Sequence, residues 1–442
     1  MPSPPYKLLL ALLLALCAAA WPAAAGQART VAGARLPAGA LLGGVNIGAV
    51  GYASQPAEAD RAIASAAALH ASVIRVDLPW AAFEPLGPER VSTRAQAYAD
   101  RLASDAAAAG IRLIVTVEST PCWASSAPSG LLRACRTTRA TRANSWPPRN
   151  AADYAAFTAY LAGRYGPQIA AIEVWNEPDQ ANEDYFAGPD KAARYAAVLR
   201  ATYPAIKRAD PKIPVLAGSL VGSNGNFLRA LYAAGIKGFY DGLSVHFYNL
   251  TLASLRSIHE VQLAAGDTKP LWLDEFGWTS CWPRQSIQQE QACVTAGTQA
   301  VNLTDTLRTL AHSTYVAAAV VYKLADSQAE SFGLTTASGS HKPAFAALAK
   351  LLRHPTDGRI SPVTLTLRSR GSQVLAAGSG PVGDYMLLEA FQGSLLRYRA
   401  VFTLDRFNRY SIALPAVLGT HGLRVRVYQY WTGPSRSAQR SI

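Results

Sequence analysis

Residues 172–180 read IEVWNEPDQ, an apolar run that takes in Glu173 and then breaks off at Asn176, Glu177 and Pro178. Ile172, Val174 and Trp175 favour a strand, whereas Pro178 cannot extend a hydrogen-bonded ladder, so a buried strand must end here. Glu177 therefore sits where such a strand opens toward solvent. One reading makes it a plain acid ahead of a helix start, where negative charge is favoured. The other makes it chemical, and the choice depends on what the rest of the chain brings to the same place.

Seven further runs of the same kind surround it: LLGGVNIG, SVIRVDL, IRLIVTVE, IPVLAGSL, DGLSVHFY, KPLWLDEF and AAAVVYKLAD. Each is short, rich in β-branched or aromatic residues and without clean alternation, as expected of strands buried on both faces. Between them lie Ala- and Leu-rich stretches such as EADRAIASAAALHA, TRAQAYADRLASDAAAAG and AADYAAFTAYLAGRYG, the last two stopping at glycine. Eight such units predict an α/β fold, a closed (β/α)8 TIM barrel over residues 38–353. A doubly wound open sheet fits less well, because no glycine-rich dinucleotide loop follows the first strand. Past Pro355 the pattern changes to VTLTLRSR, DYMLLEAF, LLRYRAVFTL and LRVRVYQYW, alternating runs punctuated by glycine, proline and asparagine. They predict a C-terminal antiparallel β-sandwich over residues 354–442.

With 442 residues, 50% of them hydrophobic and 16% charged, the chain can fill a large core and does not read as disordered. Its formal charge of +13 admits an anionic partner, but the arginines are scattered and no nucleic-acid motif accompanies them. An anionic glycan or cell surface fits better than nucleic acid. Residues 1–25 combine Lys7, an apolar run from Leu8 to Ala20 and small residues at Ala23–Gly26, the layout of a secretory signal peptide. No later segment is long and apolar enough to span a membrane. The expected location is outside the cytoplasm, periplasmic or extracellular.

Removing Cys17 with that segment leaves Cys122, Cys135, Cys281 and Cys293. They form no CxxC pair, so zinc is not expected; disulfides Cys122–Cys135 and Cys281–Cys293 are, with other pairings still open. There is no HExxH motif and no phosphate loop, so neither a metal nor a cofactor is expected. Oligomeric state is not written in the sequence.

A (β/α)8 barrel keeps its active site at the C-terminal ends of its strands. The fourth strand then delivers Glu177 and the seventh Glu275. Arg75 and Asp77 come from the second, Trp123 follows the third, His246 and Tyr248 share a face of the sixth, and Tyr322 ends the eighth. Two carboxylates across an aromatic-lined mouth are what glycoside hydrolysis requires. Adjacent strand residues point to opposite faces, so only one of Asp274 and Glu275 is expected to face the site. Arg75 also fits a barrel-interior ion pair with Asp77 or Glu173. Glu173 lies deeper on the nominal face of Glu177 and is expected to be a buried structural carboxylate or an outward-facing one displaced by a bulge.

IEVWNEPD, followed three strands later by LWLDEFGW, is similar to clan A of the glycoside hydrolases. Within that clan the chain most resembles family 39 and related bacterial exopolysaccharide hydrolases. The likeness runs from Leu41 to Leu352 and includes VIRVDLPWAAFEP, TPCWAS, LSVHFY and FGLTTASGSHKPAFAAL. It implies Glu177 as acid/base, Asn176 on the sugar 2-hydroxyl, Glu275 as nucleophile, and Arg75 and Tyr248 beside that nucleophile. Trp123 and Trp278 are expected to stack on sugars. Tyr322 stands where many relatives carry a tryptophan.

The resulting expectation is an exported, retaining, two-glutamate glycosidase acting on a polysaccharide, endo-acting on an exopolysaccharide or biofilm matrix. An exo-acting β-xylosidase-like enzyme and a non-catalytic glycan-binding barrel are the alternatives. The acid is expected to have its pKa raised by its charged partner and apolar surroundings. Four arginines and no acid between Leu131 and Arg142 suit an anionic saccharide.

Overall fold

The structure, a computed structural model, describes residues 41–48, 56–135, 142–283, 293–430, 433–434 and 437–442. Residues 1–25, expected from the sequence to direct export, and Arg136 and Arg139 lie outside the described residues. Eight parallel strands close into a barrel: β1 (Leu42–Gly48), β2 (Val73–Asp77), β3 (Arg112–Val117), β4 (Ile169–Val174), β5 (Val215–Leu220), β6 (Gly242–His246), β7 (Leu271–Phe276) and β8 (Val316–Val321). β8 pairs with β1, from Leu42↔Ala318 to Val45↔Val321, so the ring has no free edge.

Helices cover the outside. Thr93–Ala108 is capped by Ser92, whose hydroxyl accepts from Ala95 N, and Ala296–Ala311 by Thr295, which accepts from Thr298 N. Val45, Ile172 and Leu243 from the strands, with Leu102, Leu161 and Leu199 from the helices, belong to the main core. Inside the ring, Val73, Ile114, Ala171, Leu216, Trp272 and Val320 make a separate apolar layer.

Strand periodicity then sets the chemistry. Two residues further along, the interior layer becomes Arg75, Thr116, Glu173 and Asp274, all buried. The polar cluster is therefore the next storey of the same filled barrel.

Beyond the barrel come β9 (Thr366–Arg370), β10 (Gln373–Ser379), β11 (Met386–Gln392), β12 (Leu395–Phe402), β13 (Arg409–Ala413), β14 (Leu423–Gln429) and β15 (Ala438–Ser441). They form two antiparallel sheets, β13-β10-β9 and β12-β11-β14-β15. Val374, Ala376, Met386, Leu388, Val425 and Val427 make their own core between them. Barrel and sheets belong to one compact unit. Leu252 N donates to Gly383 O at 2.8 Å, Asn408 Nδ2 to Asn302 Oδ1 at 2.7 Å, and Arg256 pairs with the buried Asp384. Cys122–Cys135 and Cys281–Cys293 are bonded, with Cα separations of 5.8 and 5.3 Å. Among the described residues, no helix is long and apolar enough to cross a membrane.

Candidate active site

Glu177 reaches the mouth because the backbone leaves β4 in an unusual way. Trp175 has φ +71° and Glu177 φ +47°, left-handed values that non-glycine residues rarely adopt. The turn at Trp175 sends its indole away from the barrel interior into the core. There it meets Phe186 at 5.2 Å, and Nε1 donates to Tyr185 O at 2.9 Å. Asn176 and Glu177 turn toward the cavity instead, and both line it.

Glu275 arrives by a different device. β6 pairs Val245↔Leu273 and then His246↔Glu275, so β7 carries one extra residue. This bulge lets both acids act on the interior, against the expectation that only one would. Asp274 sits in the buried layer below, and Glu275 sits in the mouth.

The donors around Glu275 are complete. Asn46 Nδ2 and Arg75 Nη1 each donate to Oε1 at 2.8 Å, and Tyr248 OH donates to Oε2 at 2.8 Å. Three donors on one carboxylate favour its anionic form and fix its direction. Glu177 is held more lightly, with Oε1 2.7 Å from His246 Nδ1 and Oε2 accepting from Gln180 Nε2 at 3.0 Å. A carboxylate oxygen of Glu177, one of Glu275 and a ring nitrogen of His246 all lie within 4.8 Å of one another. That closeness suits direct attack on an anomeric carbon rather than the roughly 6.5–9.5 Å gap that leaves room for a water.

His246 is enclosed by acids. Nδ1 also lies 3.5 Å from Glu275 Oε2, and Nε2 lies 3.4 Å from Asp274 Oδ1. Burial opposes charge on the ring, but Glu275, Asp274 and Glu177 outweigh it and raise His246 well above its usual value. The imidazolium has a consequence for Glu177. Burial pushes that carboxyl up, yet the hydrogen bond and charge of His246 hold it below its ordinary value. This reverses the expected direction, because the counter-ion touches Glu177 itself. Burial raises Glu275, against the pull of His246 and Arg75.

Arg75 ties the storeys together and serves both of the roles weighed for it. Nε and Nη2 donate to Glu173 Oε2 at 2.9 and 2.7 Å, Nη1 reaches Glu275, and Nη2 also donates to Asn176 Oδ1 at 2.9 Å. Glu173 accepts further from Thr116 Oγ1 at 2.7 Å and Ser219 Oγ at 2.6 Å. Ser244 Oγ contacts both Glu173 Oε1 and Asp274 Oδ1. One hydroxyl has one proton to give, so one of these contacts needs a carboxyl proton. Burial raises Glu173 while hydrogen bonds to Glu173 and His246 hold Asp274 low, which puts the proton on Glu173. Glu118, at the end of β3, is pushed up to about 8 by burial and by Asp77.

Two groups have metal-like proximity, Glu173–His246–Asp274 and Glu177–His246–Glu275. Both need His246, whose Nδ1 and Nε2 already face Glu177 and Asp274, and Arg75 already pairs with Glu173, Asp274 and Glu275. The donor set suits protons better than a cation.

The cavity over the pair measures about 1070 Å³ and is lined by Asn46, Asp77, Asn176, Glu177, Glu275 and Tyr322, extending to residues 335–339. Tyr322 OH donates to Glu330 Oε2 at 3.0 Å, and its ring meets Tyr248 edge-on at 6.0 Å. The other two aromatics named from the sequence do not line it. Trp123 donates from Nε1 to Glu84 O at 2.6 Å and meets Trp80 edge-on at 5.5 Å. Trp278 is buried and borders a second cavity of about 530 Å³ with Asn302, Asp405 and Arg406. Asn46 went unnoticed in the sequence, although it sits two residues after Gly44 on β1, at the register of Arg75.

Residues 146–343 match the family model described as glycosyl hydrolase catalytic core. No curated protein sequence matches the chain. Among solved structures, it is similar to a family 39 glycoside hydrolase from the gut symbiont Bacteroides cellulosilyticus WH2, with TM-score 0.55 and 18% identity over 85% of this chain and 79% of that one. The family 39 enzyme from Xanthomonas axonopodis pv. citri gives TM-score 0.54 and 16% identity over 87% and 93% of the two chains. A monomeric β-xylosidase from Caulobacter crescentus CB15 gives 0.53 and 15% over 87% and 96%. At these identities the likeness is one of fold.

Proposed function

We propose that the chain is a retaining glycoside hydrolase of clan A, most similar to family 39, with Glu275 as its nucleophile, Glu177 as its acid/base and a polysaccharide as its substrate. The observation that carries this reading is the approach of the two carboxylates within 4.8 Å, together with the three donors fixed on Glu275.

Glu275 attacks the anomeric carbon while the leaving oxygen takes a proton from Glu177. That proton comes from the hydrogen bond between His246 Nδ1 and Glu177 Oε1. As Glu275 becomes an ester its negative charge disappears, so His246 loses one of the anions that held it protonated. Attack and proton delivery are thereby coupled. Water then gives its proton back to Glu177 and the imidazole and displaces the sugar from Glu275, with net retention. Asn176, held by Arg75, offers its amide to the sugar.

A cavity of about 1070 Å³ matches the upper end of the roughly 300–1,000 Å³ of a drug-sized site, which supports a substrate of more than one sugar ring; endo action on an exopolysaccharide is the mode we propose. The arginines near Leu131–Arg142 support an anionic polymer. Two disulfides support work outside the cytoplasm. Reducing-end release and viscosity should be followed on a polysaccharide panel with wild type and Glu275→Gln. Viscosity falling ahead of end release is expected for wild type and no release for the variant. Equal release by both overturns the hydrolase assignment of these residues, and monosaccharide release alone overturns endo action.

A further inference from the structure

Residues 354–442 hold eleven arginines, no lysine and four acids, so seven of the chain's thirteen net positive charges sit in about a fifth of its length. Cross-strand register gathers part of that surplus on one face. On β11, Met386, Leu388 and Ala390 point into the core with Val425 and Val427 of β14. Glu389 and Phe391 then point outward. Glu389 lies opposite Arg399 of β12 and Arg426 of β14, and Phe391 lies opposite Arg424.

The outer face is a cationic and aromatic ladder. Arg399 Nη2 and Arg426 Nη2 donate to the two oxygens of Glu389 at 2.7 and 2.6 Å. Two guanidinium groups on one carboxylate leave a positive charge over. Arg424 lies 4.6 Å over the Phe391 ring, and Arg426 lies 5.4 Å over Tyr428. Arg424 Nε is buried with no hydrogen-bond acceptor. Arg397 is exposed at the bulge of β12, between Tyr398 opposite Ala390 and Leu396 opposite Phe391, and has no ion pair among the described residues. Guanidinium groups held over rings are restrained, and N–H edges of arginine match carboxylates two at a time.

We propose that this outer face binds a carboxylate-bearing, uronate-type polysaccharide, Arg397 and Arg424 meeting its acid groups beside the half-buried Phe391 ring. The proposal rests on the polysaccharide reading above and adds the charge class of the polymer and a second place where the enzyme holds it. Nucleic acid would need only diffuse charge, whereas an ordered set of guanidinium edges beside aromatic rings selects planar acid groups on a stacked chain.

Affinity electrophoresis of the full chain through gels containing polygalacturonate, neutral xylan or double-stranded DNA tests this. Wild type should be retarded most by polygalacturonate. Arg397→Ser/Arg424→Ser should weaken that retardation about tenfold in apparent affinity, as expected for the loss of one exposed and one half-buried ion pair. The double variant should cleave a small aryl glycoside like wild type, and Arg397→Gln, on an exposed side chain, should lose part of the binding without any packing change. Unchanged retardation in both variants, or stronger retardation of wild type by DNA, overturns the proposal. Binding without hydrolysis of any polysaccharide would instead overturn the hydrolase reading and leave this surface standing.

Discussion

The barrel mouth and the outer face of the C-terminal sheet both set arginine against carboxylate, in opposite proportions. In the mouth, Arg75 is 1% exposed and faces Asp77, Glu173, Asp274 and Glu275. On the sheet, Glu389 is 3% exposed and faces Arg399 and Arg426. The minority charge is buried and fully engaged in both places, and the majority charge is left to act. In the mouth that majority is acidic and desolvated, so protons are shared and pKa values move. On the sheet it is basic and wet, so it keeps its charge and is available to a polymer. Solvent exposure separates chemistry from adhesion.

The largest expected effect belongs to the mouth. Glu275→Gln should lower kcat by about 10⁴-fold or more, as for other removed nucleophiles. Its thermal midpoint should hold, because the change removes a buried anion without changing shape. Glu177→Ala should cost about 10²–10⁴-fold on natural linkages, the usual worth of general acid catalysis. In kcat/KM with a dinitrophenyl leaving group, which departs without a proton, most of that loss should vanish, while kcat stays low because Glu177 is still missing as base for the water; an equal loss in kcat/KM on both substrates would remove Glu177 from the acid role.

The two arginine environments can be set against each other directly by urea denaturation. Arg75→Gln leaves several buried acids uncompensated and should destabilise by about 3–5 kcal/mol. Arg397→Gln, on the wet sheet, should leave the urea midpoint where it is. Similar midpoints for the two variants would break the comparison.

A smaller effect depends on pH. The unfolded chain ionises Glu118 in the ordinary carboxylate range, while the folded chain keeps its proton to about 8. Stability is therefore lost as pH rises through that window. Glu118→Gln should match wild type near pH 4 and melt higher than wild type at pH 9. A difference at pH 4 with none at pH 9 would reverse the sign of the argument.

Much of this was legible in IEVWNEPDQ and its seven companion runs, because strands buried on both faces advertise themselves as continuous apolar segments. Position at the strand ends brought Glu177 together with Asp274 and Glu275, and the resemblance to clan A was needed to choose Glu275. The rest depended on features that leave little trace in a linear pattern. A bulge on β7 lets Asp274 and Glu275 both serve the interior, and the left-handed turn at Trp175 re-aims the end of β4. The lowered pKa of Glu177 needed the 2.7 Å contact with His246, which links residues 69 apart. Trp123 and Trp278 look like sugar platforms by residue type, and their packing lies elsewhere. The arginines of β12 and β14 look scattered in sequence because strand alternation spaces them apart. Pairing across β11 brings them together.

The central claim is that Glu275 forms the bond to sugar and Glu177 moves the proton. Azide added to Glu275→Ala and to Glu177→Ala, with an aryl glycoside that wild type cleaves, tests it most directly, because the anomer of the glycosyl azide reports which carboxylate is missing. The account predicts an azide of inverted configuration from Glu275→Ala and of retained configuration from Glu177→Ala, read by proton NMR. The opposite assignment, or retained product from both variants, would contradict it.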